Sequence, residues 1–486
     1  MERHNSNHVR PFKHRFVGKI ILVNVQQVIK HVADFDLKLL KRTGIDRKAW
    51  NVPVDGIPDA SLGIVIRVDA PNRHRRLLNQ SSRSYADYSH FASAKARVSS
   101  YTTAMRLTDC HNVEDFRRLA KQRLPGPIFH YIDGAADDER TKDRNTTSFD
   151  DCDLVPNVLA GVDSVDMRTT VMGREIAMPL FLSPTALQRL FHWQGERAVG
   201  AAAEKFGTFF GISSLGTVSL EEIGRTVSSP KMFQLYIHKD EGLNQAMIAA
   251  AKAAKFDALA LTVDTIVGGN RERCLRTGFT SPPRLTARSA LSFALHPAWA
   301  INYFAREKFE LPNLAKHVAE GSDIALSVSE YFTSMLDQSL DWRRAEAVRK
   351  DWGGEFCLKG IMSVSDARRA ADIGATAIMV SNHGGRQLDG SRAPFDQLAE
   401  IVDAVGDKLD VICDGGIRRG SHVLKALSVG AKACSGGRMY LYALAAAGQA
   451  GVERALGNLR TEIERDMKLM GAKTIADLTR ENLRWR

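Results

Sequence analysis

The sequence has no C-x-x-C pair, no run approaching 18 uninterrupted apolar residues, and no G-x-G-x-x-G after any apolar segment. Each absence excludes something. The six cysteines (Cys110, Cys152, Cys274, Cys357, Cys413, Cys434) are scattered along the chain, which argues against a disulfide framework or a zinc site and for reduced thiols on the cytosolic side. The missing long apolar run argues against a spanning helix. The longest approach to one, Phe16 to Ile29, is broken by Lys19, Asn24, Gln26 and Gln27 and lacks a small-residue cleavage site, so it makes a poor signal peptide. Acidic residues are scarce in one place only. Residues 1–100 contain a single glutamate and carry 18 Lys and Arg against 8 Asp and Glu, whereas the remainder holds 49 against 48. The net charge of +11 therefore belongs to the N-terminal segment, and the balanced body, without a basic stripe or a recognition motif, speaks against a nucleic-acid partner.

What is present starts with a change of texture near residue 106. Residues 1–105 form a basic extension with little periodicity, open to three readings: a disordered or accessory segment, a transit peptide (Pro71–Ser100 is rich in Arg and Ser), or sequence ahead of a true start near Met105. No function is assigned to it. Over 106–486 short β-branched or aromatic runs alternate with helix-period segments, the pattern of βαβ units and a parallel sheet. The runs are Pro179–Ser183, Thr208–Ser213, Lys231–Ile237, Ala258–Val263, Phe356–Gly360, Ala375–Val380, Leu409–Cys413 and Lys432–Gly436. Eight such units predict an α/β fold, a (β/α)8 TIM barrel with a long insertion between strands four and five and an N-terminal extension. A doubly wound open sheet is the alternative, and the missing glycine fingerprint counts against it. Asn244–Phe256 reads as a helix between strands three and four, and Ser363 or Ser365 as the cap of one running through Ile373.

The insertion is expected over 266–352. Its segment from Leu291 to Phe304 gathers Phe293, Leu295, Trp299, Ile301, Tyr303 and Phe304. These residues read either as a lid packed on the barrel or a neighbouring subunit, or as contact with a membrane surface or a quinone.

Catalytic groups of a barrel emerge at the C-terminal ends of its strands. Those ends here read Pro184-Thr185-Ala186, Ser213-Ser214, Gln234 with Tyr236, Thr262-Val263-Asp264, Lys359, Ser381 through Arg386, Asp414 through Arg418, and Gly436-Gly437-Arg438. Gly415, Gly416 and Gly437 allow close backbone approach, and Arg438 offers bidentate hydrogen bonds, so the last two ends read as a phosphate cradle. SNHGGRQLDG sets His383 three residues from Arg386, which suits a base beside a carboxylate clamp. Asp264 on the same rim is placed to orient His383, and Lys359 to stabilise negative charge on a reduced cofactor.

Together SNHGGRQLDG, FQLYIHKD, LTVDT, LKGI, DGGIRRG and LPGPIFHYIDGAADDERT resemble the FMN-dependent 2-hydroxy acid dehydrogenases and oxidases over roughly residues 108–480. The family includes L-lactate dehydrogenases, glycolate oxidases and mandelate dehydrogenases. The resemblance implies that His383 is the active-site base paired with Asp264. It makes Arg386 and Arg271 the carboxylate-binding arginines, with Tyr131 beside them, and Tyr236 the partner of the substrate hydroxyl. It assigns Thr185, Ala186, Ser213, Gln234, Thr262 and Lys359 to the isoalloxazine and ribityl chain, with Ser381 among the flavin-binding set. Asp414, Gly416, Arg418, Gly437 and Arg438 would hold ribityl and phosphate.

Leu215 stands where plant glycolate oxidases carry a tryptophan, and residues 1–105 lack the HPGG heme signature of yeast lactate dehydrogenase. FMN is therefore the expected cofactor, without heme or metal, and the expected reaction is oxidation of an L-2-hydroxy acid, foremost L-lactate to pyruvate. Quinone or cytochrome is the expected acceptor. Glycolate or long-chain hydroxy acid oxidase using oxygen, (S)-mandelate dehydrogenase, and a non-catalytic flavin-binding barrel are the alternatives. A homo-oligomer, commonly a tetramer, and a cytoplasmic location, free or peripheral on the inner membrane through the 266–352 insertion, complete the expectations.

Overall fold

The computed structural model describes residues 105–279, 286–315 and 335–486. The expected basic extension, apart from Met105, lies outside the described residues. Eight parallel strands close into a barrel: β1 (Leu180–Thr185), β2 (Phe210–Ser213), β3 (Lys231–Leu235), β4 (Ala258–Thr262), β5 (Glu355–Ile361), β6 (Ala377–Val380), β7 (Asp410–Asp414) and β8 (Ala433–Gly436). Each pairs with its neighbour in sequence, and β8 pairs with β1. This is the (β/α)8 TIM barrel expected from the alternation.

The strand pattern explains where polarity falls. Successive side chains of a strand point to opposite faces. In β1 Leu180 and Leu182 pack outward under the helices, while Phe181 joins the inner cluster with Met232, Ala260, Cys357, Met379 and Ile412. A hairpin of two short strands, Thr169–Val171 and Arg174–Ile176, adds Val171, Met172 and Ile176 to that cluster and closes the N-terminal end of the barrel. Continuing the same period toward the other end places Ser183, Gln234, Thr262, Lys359, Ser381, Asp414 and Ser435 inside, all buried. The polar inward positions thus collect beneath the C-terminal rim.

Among the described residues three α-helices precede the barrel: α1 (Val113–Arg123), α2 (Gly126–Asp133) and α3 (Arg140–Thr147). Within the barrel the helix after β3 spans Glu241–Ala253 and is capped by Asp240, three residues earlier than the sequence suggests. Ser363 caps Val364–Asp372 by accepting from the Asp366 N–H. Three-residue strands Cys152–Leu154 and Leu483–Trp485 pair antiparallel and tie the chain's end to the segment before the barrel.

The insertion is shorter than 266–352, because Trp342–Trp352, capped by Asp341, is the regular crossover helix into β5. Its apolar residues divide between two faces. Phe293, Trp299, Tyr303 and Phe309 pack on the core, and Trp299 Nε1 donates to the Leu190 carbonyl (2.8 Å). Leu291, Leu295, Ile301 and Phe304 are exposed. Among the described residues no helix is long and apolar enough to cross a membrane.

Candidate active site

The C-terminal rim opens into a cleft enclosing about 950 Å³, counting the space open to solvent at its mouth. Tyr131, Thr185, Ala186, Ser213, Tyr236, Arg271, Lys359, His383, Arg386, Asp414, Gly416, Arg418, Gly437 and Arg438 line it. Gln234, Thr262, Asp264 and Ser381 stand one layer behind, so every residue picked out in the sequence lies on or directly beneath this rim.

On one side His383 Nδ1 is 2.9 Å from Asp264 Oδ1 and 3.1 Å from Thr265 Oγ1, whose hydroxyl also donates to Asp264 (2.9 Å). His383 adopts φ 58°, a left-handed conformation in which histidine is among the better tolerated residues. Burial holds the imidazole below its ordinary range, against the opposing pull of Asp264. Against the burial that disfavours its charge, His383, Lys359 and Thr265 hold the Asp264 carboxylate ionised. The pair therefore presents a neutral imidazole whose Nε2 is left for a substrate proton. Tyr236 is buried, and that burial, with Asp264 adding, keeps its phenol protonated.

Cations gather opposite. Arg386 donates to the carbonyls of Tyr131 (2.7 Å) and Gly134 (2.9 Å) and lies 5.0 Å from the Tyr131 ring centroid. Arg438 donates to the carbonyls of Ile132, Gly384 and Gly134. Burial, with the Arg386 charge adding to it, lowers both Arg271 and Arg438 to about 10. Guanidinium groups held this close call for an anion between them.

The floor is a polar knot that sequence reading caught only in part. Lys359 Nζ donates to Asp414 Oδ2 (2.8 Å) and Ser381 Oγ (3.0 Å). Ser381 also donates to Asp414 Oδ2 (2.6 Å), while Ser183 and Ser435 donate to Oδ1 (2.8 and 2.6 Å). Asp414 pulls Lys359 upward against burial, and Lys359 pulls Asp414 downward. Ser183, Ser435, Thr265 and Tyr440, which bonds Thr185 and the Ser183 carbonyl, were missed. The period-2 count from Asp414 and Lys359 would have found the two serines. Ser213 donates to Gln234 Oε1 (2.8 Å), yet Gln234 Nε2 and Thr262 Oγ1 are buried with no partner among the described residues. Such groups are costly unless a polar ligand meets them.

Gly416 (φ 74°) shows how tightly the cradle is built, since a Cβ there would lie 1.9 Å from the Asn145 carbonyl oxygen of α3. Gly416→Ala is expected to cost about 2–3 kcal/mol, read as a fall in Tm by thermal unfolding. An unchanged Tm would mean that α3 yields freely.

These donors fit a phosphorylated, amide-rich cofactor: Arg418, Arg438 and the glycine turns for phosphate, and Gln234, Thr262, Ser213 and Lys359 for a polar ring system. Comparison with known proteins agrees. A sequence profile for FMN-dependent dehydrogenase matches residues 120–485. An L-lactate dehydrogenase of Vibrio parahaemolyticus is 38% identical over 370 residues, 76% of this chain and 97% of that protein. Glycolate oxidase 5 of Oryza sativa subsp. japonica is 37% identical over 372 residues, 76% of this chain and 95% of that protein. The crystal structure of the monotopic membrane protein (S)-mandelate dehydrogenase superposes with a TM-score of 0.74 at 33% identity, covering 78% of this chain and all of that one. The chain belongs to the FMN-dependent dehydrogenase family, and FMN is its cofactor.

Proposed function

We propose that the chain oxidises an L-2-hydroxy acid to the 2-oxo acid, with L-lactate as substrate. The observation that carries this is a base dyad, His383–Asp264, sharing one cleft with two half-buried guanidinium groups, Arg271 and Arg386. A 2-hydroxy acid offers both partners, a carboxylate for the arginines and an adjacent carbinol for the base. Arg386 and Arg271 bind and orient the carboxylate, and Tyr131 and Tyr236 bound it with phenol groups. The substrate gives up two electrons and two protons, one of which His383 receives at Nε2. Bound FMN would supply the acceptor for the electron pair and the second proton, and a chromophore that bleaches when reduced. Lys359 places positive charge beneath the site, held by Asp414 and Ser381.

Quinone or cytochrome is the proposed acceptor, reached from a membrane surface through the exposed Leu291, Leu295, Ile301 and Phe304. That a structural neighbour is described as monotopic supports this reading. The mature unit is proposed to be a homo-oligomer.

Anaerobic addition of L-lactate, D-lactate, glycolate and L-mandelate in turn, with the flavin absorbance followed, tests the substrate. Bleaching by L-lactate fastest is expected. Preference for glycolate or mandelate reassigns the side chain, and no bleaching by any of them defeats the reading. The acid limb of kcat/KM reports His383. Because the base works unprotonated and burial lowers its pKa, activity is expected to persist as pH falls below the ordinary imidazole range and then drop. A limb at or above 6.5 would contradict this.

A further inference from the structure

Asp133 is the last residue of α2, buried at 2% exposure and absent from the lining of the cleft. Its carboxylate nevertheless receives donors from three elements. Arg117 of α1 donates through Nε (2.5 Å) and a terminal nitrogen (3.0 Å), Arg273 donates at 2.6 Å, and the Tyr442 hydroxyl at 2.9 Å. Two of these ties lie next to an anion-binding group. Arg273 sits in the first turn of the helix Glu272–Thr277, whose N-cap is Arg271. Tyr442 lies one turn beyond Arg438, the first residue of the C-terminal helix. Tyr131 is two residues earlier on α2 itself. The backbone just around Asp133 completes the arrangement, since the Gly134 carbonyl accepts from both Arg386 (2.9 Å) and Arg438 (2.8 Å).

We infer that Asp133 is a positioning residue that sets the substrate-carboxylate arginines and the phosphate arginine in one frame. The inference rests on the carboxylate-binding role proposed above for Arg271 and Arg386. The electrostatic logic is specific. Crowded guanidinium groups repel one another, and a carboxylate facing the cleft would relieve that repulsion but compete with the ligand. Placed one layer behind, Asp133 balances the cluster and leaves its outer faces for anions. Its two outgoing ties also separate by destination, Arg273 toward the substrate site and Tyr442 toward the phosphate site.

The test measures two affinities besides turnover: oxalate, a dianion, by perturbation of the oxidised-flavin spectrum, and FMN, by fluorescence on the cofactor-stripped protein. Asp133→Asn is expected to weaken both by about tenfold or more, raising KM while kcat at saturation changes far less, with Asp133→Glu recovering part of the loss. Arg273→Met is expected to weaken oxalate and spare FMN, and Tyr442→Phe to weaken FMN and spare oxalate. These two variants leave the carboxylate in place, so they decide the matter if Asp133→Asn fails to fold. Equal losses of both ligands in both variants, or no loss in either, would overturn the inference. A wild-type enzyme that no 2-hydroxy acid bleaches, yet whose variants show this split, would instead sink only the substrate reading.

Discussion

Replacing His383 by asparagine is expected to lower the rate of flavin reduction by about 10³-fold, within the range a general base supplies, while FMN stays bound. Asparagine suits the test because it tolerates the left-handed backbone held at this position (φ 58°). Its amide can also donate to Asp264, so the buried carboxylate keeps a partner. The size of the loss follows from the lack of a substitute base among the described residues around the cleft. Asp414 is occupied by Lys359 and three serine hydroxyls. Tyr236 is a phenol that burial keeps protonated, and Asp264 stands behind His383 rather than on the lining. Anaerobic stopped-flow reduction by L-lactate, with the visible flavin spectrum as the occupancy control, makes the measurement. A rate within tenfold of the wild type would place the base elsewhere. Loss of the yellow cofactor would make His383 a structural residue of the flavin site.

How much of this could be read from the chain depends on what kind of group does the work. The barrel strands were legible because parallel strands buried on both faces appear as short apolar runs, and all eight fall where such runs occur. Their ends moved by a few residues where a polar residue left the ladder, as at Thr208, which donates from its side chain to the Leu180 carbonyl instead of extending β2. The three-residue strands at Thr169–Ile176 and at the chain's end carry too few residues to show a period. Side chains at strand ends, such as His383, Asp264 and Lys359, were legible because the fold fixes which rim they share. Backbone groups were not: nothing in the letters YIDG announces that the carbonyls of Tyr131, Ile132 and Gly134 will hold two arginines. Asp133 likewise looks like an ordinary helix-end acid until α1, the helix after β4 and the C-terminal helix converge on it.

Lys359 sets up the second large effect. Lys359→Met keeps the length of the side chain and removes its charge, and two consequences should separate. The first concerns stability. Asp414 would remain buried without its cation, and breaking a buried pair from one side costs about 3–5 kcal/mol, even with Ser183, Ser381 and Ser435 still donating. The second concerns chemistry. A fixed positive charge beneath the cofactor favours the form that gains electrons, so its loss should slow reduction by about 10²- to 10³-fold and move the flavin's midpoint potential in the negative direction. A double variant, Lys359→Met with Asp414→Asn, tells the two apart. Neutralising both partners removes the unpaired charge, so Tm should recover toward the wild type while the slow reduction and the negative potential persist. If rate and potential recovered together with Tm, Lys359 would matter only as the partner of Asp414. If the single variant kept its rate and potential, the charge beneath the flavin would play no part in accepting electrons, and Asp414 alone would explain why a lysine sits at the end of β5.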